Sequence, residues 1–321
     1  MKKITEATIA QGTRVFVSTD IDVPIDNGHI RNTFRLDRGL ETLKYIVDKG
    51  AIPVIGGHIK NPQGKYDPQL STAPLKKYYN EKLGEGSYEL LENLRFDIRE
   101  DQNEDTYAQE LANKTEVFVN ENFATSHRTN ASLVAITKYL PSFAGLNLSR
   151  EIEALDKILI DYKKPFTAVI GGAKVESKAP VIDSLCNIAD NILLGGKIGL
   201  NYSTDNARVS SPADYADGNQ DIGPKTILNY TGYILSAQTL LWAGPMGAYE
   251  KDEFCIGTNL IADAIVEATK GGAYSIIGGG DTITAYSKNH ALGEVSFVST
   301  GGGAMLTYLA HKNMPGIEAL G

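Results

Sequence analysis

Cysteine is scarce: Cys186 and Cys255 are the two in 321 residues. Two thiols that far apart give no disulfide framework and no zinc-spaced Cys/His set, and they point to a reducing compartment. Cys186, inside the apolar run VIDSLCNIA, reads as core. Long apolar runs are missing as well. None approaches the roughly 20 residues of a membrane helix, and the opening MKKITEATIAQGTR lacks the apolar centre of a signal peptide. The expectation is a cytoplasmic protein with no membrane contact. Positive charge is also in deficit, with 31 Lys and Arg against 39 Asp and Glu and a net charge of −8. That balance argues against general nucleic-acid binding, so an anionic small molecule must be held by a local group of lysines and arginines. Finally, there is no GxxxxGK[ST], no GxGxxG and no GxSxG, which excludes a Walker site, a Rossmann dinucleotide site and a hydrolase elbow.

What the chain does have is glycine placed after short apolar runs. The stretch YSIIGGGDT at 274–282 stops an apolar run at three glycines, then offers the carboxylate of Asp281 and the hydroxyl of Thr282. FTAVIGGAK at 166–174, NILLGGK at 191–197 and FVSTGGG at 297–303 repeat the device. Glycine lets a backbone turn tightly and approach a ligand closely, and a following helix would aim its first N–H groups at an anion. Repetition points to a shared phosphate pocket.

Further apolar runs at 15–17, 52–55, 88–91, 117–119, 240–242 and 295–298 read as strands, most of them apolar on consecutive residues, as in a parallel sheet covered on both faces. Amphipathic segments alternate with them. Leu36, Leu40, Leu43 and Val47 keep helical spacing, as do Leu260, Ala264, Ile265 and Ala268. The fold class is therefore α/β, with doubly wound parallel sheets. The length suits two domains. The boundary is expected in PSFAGLNLSREIEALDKILI at 141–160, whose second part reads as a joining helix, and 201–220 reads as a surface loop.

Ionisable residues cluster just past the strand candidates. In the first half these are Asp20 and Asp22 in VSTDIDVP, Arg35 at a helix start, His58 after IPVIGG, and His127 and Arg128 in NENFATSHRTNAS. In the second half Lys174 and Lys178, in GGAKVESK, fall one helical turn apart and face the same side. Two ammonium groups there suit a phosphoryl group in transfer, whose charge spreads over its oxygens.

Taken in order, TDIDVP (19–24), LLENLRF (90–96), VNENFATSHRTNAS (119–132), PFTAVIGGAKVESK (165–178), DIGPKT (221–226), LWAGPMGAYE (241–250), IIGGGDT (276–282), STGGGA (299–304) and NMPGIEAL (313–320) resemble the phosphoglycerate kinase family along nearly the whole chain. The resemblance implies two doubly wound domains joined by a hinge helix. Residues 1–150 would bind 3-phosphoglycerate, with the tail 305–321 returning to them, and 151–304 would bind ADP or ATP with Mg2+. It implies that Asp20, Asp22, Arg35, His58 and Arg128 hold the glycerate, with Asn61 and Lys164 standing where the family has arginines. Arg35, Lys174 and Lys178 would stabilise the transferring group, helped by N–H groups of Gly279, Gly280, Gly302 and Gly303. Gly172 and Gly196 would border the nucleotide, Asp281 would take the metal, Thr282 a phosphate and Glu250 the ribose. A monomer that closes about its hinge is implied.

The chain departs from that pattern. SHLGRP reads GHIKNP at 57–62, so Asn61 replaces an arginine and Lys60 a glycine. Asp22 replaces an asparagine, Ala243 replaces the asparagine of WNGP, and Lys197 replaces the third glycine of GGG. The tract around Ser203–Arg208 is too short for the family's helix and further strand, so the second sheet is expected to be one strand short. Besides the kinase itself, these changes leave a related kinase for another acyl phosphate, or a catalytically idle regulatory homologue.

Overall fold

Strands that are apolar on every residue need cover on both faces, and both sheets of this fold provide it. The computed structural model describes residues 1–216, 218–310 and 313–321. The chain divides into two units, one of Met1–Ile152 with Asn313–Gly321 and one of Glu153–Lys312.

The first unit holds β1 (Arg14–Ser18), β2 (Ile52–Gly56), β3 (Glu89–Leu90), β4 (Val117–Asn120) and β5 (Ser142–Ala144), all parallel, in the order β3-β2-β1-β4-β5. Among its helices are α1 (Phe34–Asp48), α2 (Leu75–Leu83) and α3 (Asp105–Ala112). Val15, Val17, Leu36, Leu43 and Ile46 are buried in its core, which is the helical spacing of α1 meeting the alternate face of β1. Helix α4 (Leu146–Leu159) follows, and the division between the units falls inside it.

The second unit holds β6 (Phe166–Ile170), β7 (Asn191–Leu194), β8 (Val209–Ser210), β9 (Thr239–Ala243), β10 (Tyr274–Gly278) and β11 (Phe297–Ser299), again all parallel, in the order β8-β7-β6-β9-β10-β11. Its helices include α5 (Val175–Leu185), α6 (Gly196–Asn201), α7 (Pro224–Ser236), α8 (Ile256–Lys270), α9 (Gly280–Tyr286) and α10 (Gly303–Leu309).

Both sheets reverse direction of winding after their third strand, which sets β4 beside β1 and β9 beside β6. Ligands of such sheets bind at the carboxyl ends of the strands at that reversal. Register puts the strand ends level. Ser18 aligns with Gly56 and Asn120, so Thr19–Asp20, Gly57–His58 and Glu121 leave the first sheet together. Ala243 aligns with Ile170 and Gly278, so Gly171, Gly244 and Gly279 leave the second together.

Four expectations need amending. The second sheet is not a strand short. It keeps a stunted strand, β8, because the segment between Leu194 and Val209 still holds the short helix α6 and reaches the sheet edge in parallel. Strand β5 lies in what reads as the start of the linker. The segment that belongs to the first unit begins at Asn313, not at 305, because Met305 and Leu309 of α10 are buried within the second unit. Cys186 stands at the end of α5 and is half-buried, whereas Cys255 is buried.

Candidate functional site

In the first unit, Arg35 is the second residue of α1, and its Nη1 lies 3.2 Å from Asp20 Oδ2. Asp20 is 8% exposed. Burial raises its carboxyl above the usual carboxylate range, against the pull of Arg35. Asp20 Oδ1 also accepts from the Asp22 N–H at 3.2 Å, which fixes the loop past β1. His58 leaves β2 into a fully buried pairing, its Nε2 2.7 Å from Glu100 Oε1. Glu100 accepts in turn from the Ser132 N–H at 3.0 Å. His58 can therefore meet a ligand only through Nδ1, which is buried and has no hydrogen-bond partner.

One arginine was not singled out by its sequence context. Arg95 is 6% exposed, donating from Nε to Asp101 Oδ1 at 3.0 Å and from Nη1 to the Lys60 carbonyl at 2.8 Å. Partial burial and the nearby Arg95 charge press Arg128 below the ordinary arginine range, with Asp101 opposing the shift, so two guanidiniums are neighbours that share one carboxylate. The available signal was the arginine inside LENLRF, between apolar residues where a solvated side chain does not belong. Among the described residues, Ser18 Oγ, Thr125 Oγ1 and Asn130 Oδ1 are, like His58 Nδ1, buried and without a hydrogen-bond partner. They lie at or past the ends of β1, β2 and β4. Buried polar atoms rarely stay unpaired, and their concentration at one edge, beside Arg35, Arg95 and Arg128, fits a small polyanion. Asn61 is exposed on the same loop as Lys60.

In the second unit the glycines divide into two kinds. The N–H groups of Gly171, Gly172, Gly195 and Gly196 donate to Ala243, Pro245, Ile170 and Met246 carbonyls at 2.8–3.0 Å. A Cβ on Gly196 would stand 2.8 Å from the Gly172 nitrogen. Gly172 and Gly196 are thus glycine because two backbones cross there, and their N–H groups are not free for an anion. Around Gly280, Gly302 and Gly303 nothing lies within 4 Å of an added Cβ. Gly279 and Gly302 turn with φ of +99° and +49°, opening the chain into α9 and α10. Thr282 is 1% exposed, and its Oγ1 accepts from the Gly244 N–H at 2.7 Å. It ties the turn after β10 to the end of β9.

Lys178 sits at the reversal point. Its Nζ donates to the carbonyls of Gly171, just past β6, and of Ala243, the last residue of β9, the latter at 3.0 Å. Burial first, and then the like charge of Lys174, bring Lys178 down to about 8, while Asp281 opposes the shift. Lys174 is exposed as the N-cap of α5. Asp281 is exposed in the first turn of α9, and Tyr249 Oη donates to its Oδ1 at 3.3 Å. Burial and this carboxylate push the Tyr249 phenol up to about 12. Tyr249 is a second residue whose place only the fold reveals. Glu250 and Lys197 are exposed.

Lys164 does not join this set. It precedes β6, at the amino end of the sheet, where its Nζ pairs with Asp190 Oδ1 at 3.1 Å. The strand itself, five residues long, separates it from the carboxyl edge. A groove of about 660 Å³ along α7, lined by Ser210, Thr226, Leu228, Tyr230 and Tyr233 among others, has no lysine or arginine in its wall and offers an anion nothing. Among the described residues no helix is long and apolar enough to cross a membrane. None of them form a group of three or more His, Cys, Asp or Glu able to hold a metal.

A family model described as Phosphoglycerate kinase matches residues 4–86, 79–210 and 203–312. The chain is 34% identical to the phosphoglycerate kinase of Leptospira biflexa, over 97% of this chain and 96% of the relative. It is 35% identical to that of Chlorobium phaeobacteroides, over the full length of both. Its fold matches the structure of phosphoglycerate kinase from Coxiella burnetii with a TM-score of 0.86 at 30% identity, covering 99% of this chain and 98% of that one. The enzyme from Pyrococcus horikoshii OT3 gives the same TM-score at 26% identity, covering 100% and 98%. The two sequence alignments run over 382 and 395 positions against 321 residues, so those relatives carry interior stretches without counterparts here. The matched pieces meet at 79–86 and 203–210. The first lies just before the two-residue edge strand β3, and the second ends on the two-residue edge strand β8. The shortening was legible before β8; the one before β3 was not.

Proposed function

The chain belongs to the phosphoglycerate kinase family, and on that premise we propose that it moves a phosphoryl group reversibly between 1,3-bisphosphoglycerate and ADP, yielding 3-phosphoglycerate and ATP in glycolysis. The observation that carries this reading is the place of Lys178, a partly desolvated ammonium held by two strand-end carbonyls with Lys174 and Asp281 close by. Such a charge acts on a phosphoryl group far more strongly than a solvated one. No side chain has to become a nucleophile, since positioning and charge stabilisation carry the transfer.

In this reading the first unit holds the phosphoglycerate. Arg35, Arg95 and Arg128 face its anionic groups, Asp20 orients Arg35, and His58 Nδ1 meets a polar atom of the substrate. The second unit holds the nucleotide, with Glu250 toward the ribose and the open backbone at Gly279, Gly280, Gly302 and Gly303 toward the phosphates. Asp281 fits Mg2+, an ion commonly held by one or two carboxylates plus substrate phosphates rather than by a protein cage. When bound, the ion neutralises charge on the nucleotide phosphates. Hinge closure about α4 belongs to the same proposal, because the acceptor carboxylate and the nucleotide must meet and water must be excluded. So do a cytoplasmic, monomeric state and the absence of a nucleic-acid partner, which the net charge of −8 favours.

A coupled assay with 3-phosphoglycerate and Mg-ATP tests the reading; no turnover above background overturns it. Asp281→Ala should abolish the Mg2+-dependent part of ADP affinity in calorimetric titrations run with and without the metal. Unchanged metal dependence would take Asp281 out of that role.

A further inference from the structure

Lys60 occupies a left-handed backbone conformation, with φ of +54°, at the position where the resemblance places glycine. A lysine there is strained relative to glycine. Several contacts hold it in place. Its carbonyl accepts from Arg95 Nη1 at 2.8 Å. The preceding residue is clamped by Asn93, whose Nδ2 donates to the Ile59 carbonyl at 2.8 Å and whose Oδ1 accepts from the Ile59 N–H at 3.2 Å. The side chain then turns to Asp22, with Nζ 3.5 Å from Oδ1, and the Lys60 N–H points to the same oxygen at 3.4 Å.

Asp22 and Lys60 come from loops past the adjacent strands β1 and β2, and both differ from the family pattern, Asp22 for asparagine and Lys60 for glycine. The lysine side chain is 64% exposed and the aspartate 32%. An ion pair that exposed contributes little to stability, so it does not account for a strained lysine. Strain kept at a strand-end crevice beside two arginines is the kind that serves binding. The neighbouring position, Asn61, has lost the family's arginine.

Resting on the function proposed above, we propose that Lys60 and Asp22 act as one substrate-reading unit. The Lys60 ammonium supplies the anion contact that the arginine at position 61 provides in the family pattern. Asp22 positions that ammonium and accepts a hydrogen bond from the substrate hydroxyl. The ligand class is a small phosphorylated hydroxy acid. The unit explains both changes together: a carboxylate beside an anionic substrate is tolerable when a cation is paired with it. Lysine is a point charge without the bidentate fork of arginine, so the contact is less directional than the one it replaces.

The test compares wild type, Lys60→Gly, Asp22→Asn and the double variant, by turnover and by calorimetric titration of 3-phosphoglycerate into the full chain. Lys60→Gly should raise the KM and Kd for 3-phosphoglycerate roughly 10- to 150-fold, the loss expected for one charge-assisted hydrogen bond, and raise KM far more than it lowers kcat. The thermal midpoint should hold or rise, because glycine relieves the left-handed strain; a purely structural role predicts a fall. Adding Asp22→Asn to Lys60→Gly should recover several-fold in affinity, since it removes an unpaired carboxylate, whereas Asp22→Asn alone should weaken binding. Placing Asn61→Arg on Lys60→Gly should restore affinity. Unchanged affinity in Lys60→Gly, or additive effects in the double variant, overturns the pair while leaving the kinase reading standing. A wild type that binds 3-phosphoglycerate without turning it over removes the kinase reading and leaves the pair to the titrations.

Discussion

Lys178→Ala is expected to lower kcat by about 10²–10³-fold, the effect of deleting one preorganised charge donor at a developing anion, with little change in thermal stability. The side chain is anchored by the Gly171 and Ala243 carbonyls, and removing it leaves two acceptors that water can reach rather than an unpaired buried charge. The same residue sets a pH limb. Because burial and Lys174 bring its ammonium down to about 8, the charged form declines as pH rises through that value. The kcat/KM for nucleotide, which reports the free enzyme's groups, should fall with it. Lys178→Arg should erase that limb, since a guanidinium stays protonated throughout, even where its absolute rate is lower. Asp281→Asn should move the limb to lower pH, because Asp281 is the group that supports the ammonium. Turnover within threefold of wild type in Lys178→Ala would sink the assignment.

Glu121→Ala should destabilise the first unit by about 2–4 kcal/mol, because it strands several buried donors at once. Glu121 leaves β4 at 2% exposure and closes the start of α4. Its Oε1 accepts from Thr42 Oγ1 at 2.8 Å and from the Asn147 N–H at 3.0 Å, and its Oε2 from the Leu148 N–H at 3.1 Å. Thr42 Oγ1 accepts in turn from the Leu146 N–H at 2.9 Å. The first three N–H groups of α4, which no helix can satisfy internally, are thus all met by two residues from other elements. Gly145 makes the fit possible, since a Cβ there would stand 1.9 Å from Oε2.

Burial raises the Glu121 carboxyl to about 8, against the pull of those donors and of Arg150. The unfolded chain would titrate it near 4.3. A raised folded pKa means that its stabilisation is full below the unfolded value and is lost as pH climbs through about 8. Urea unfolding of wild type should therefore show stability declining from about pH 5 toward 8, and Glu121→Gln should flatten that decline. A wild-type profile with no slope in that window would contradict the protonated state at neutral pH.

Much of this was legible along the chain. Strand–helix alternation follows from local periodicity, and every strand inferred from an apolar run is present. Within the two parallel sheets, the two that escaped notice, β5 and β8, have three and two residues, too few for a period to register. Lysine and arginine candidates were readable because a residue type announces its charge. Arg95 and Tyr249 were not, since their roles depend on what lies across from them: Arg128 past β4, and Asp281 on α9.

The amino-acid order by itself determined the α/β class and the stock of lysines and arginines the chain carries. Tertiary structure alone decided the rest. Four glycine-rich turns look alike as text, yet those after β6 and β7 have their N–H groups taken by neighbouring carbonyls, and those after β10 and β11 stand open. The same holds for Lys164, whose place at the amino end of β6 and whose pairing with Asp190 only the assembled sheet shows. The physical reason is that a residue's type and spacing are local, whereas the partners that engage a backbone N–H or a charge come from strands far apart in sequence. Their register, Ala243 against Ile170 and Gly278, is settled only when the sheet assembles.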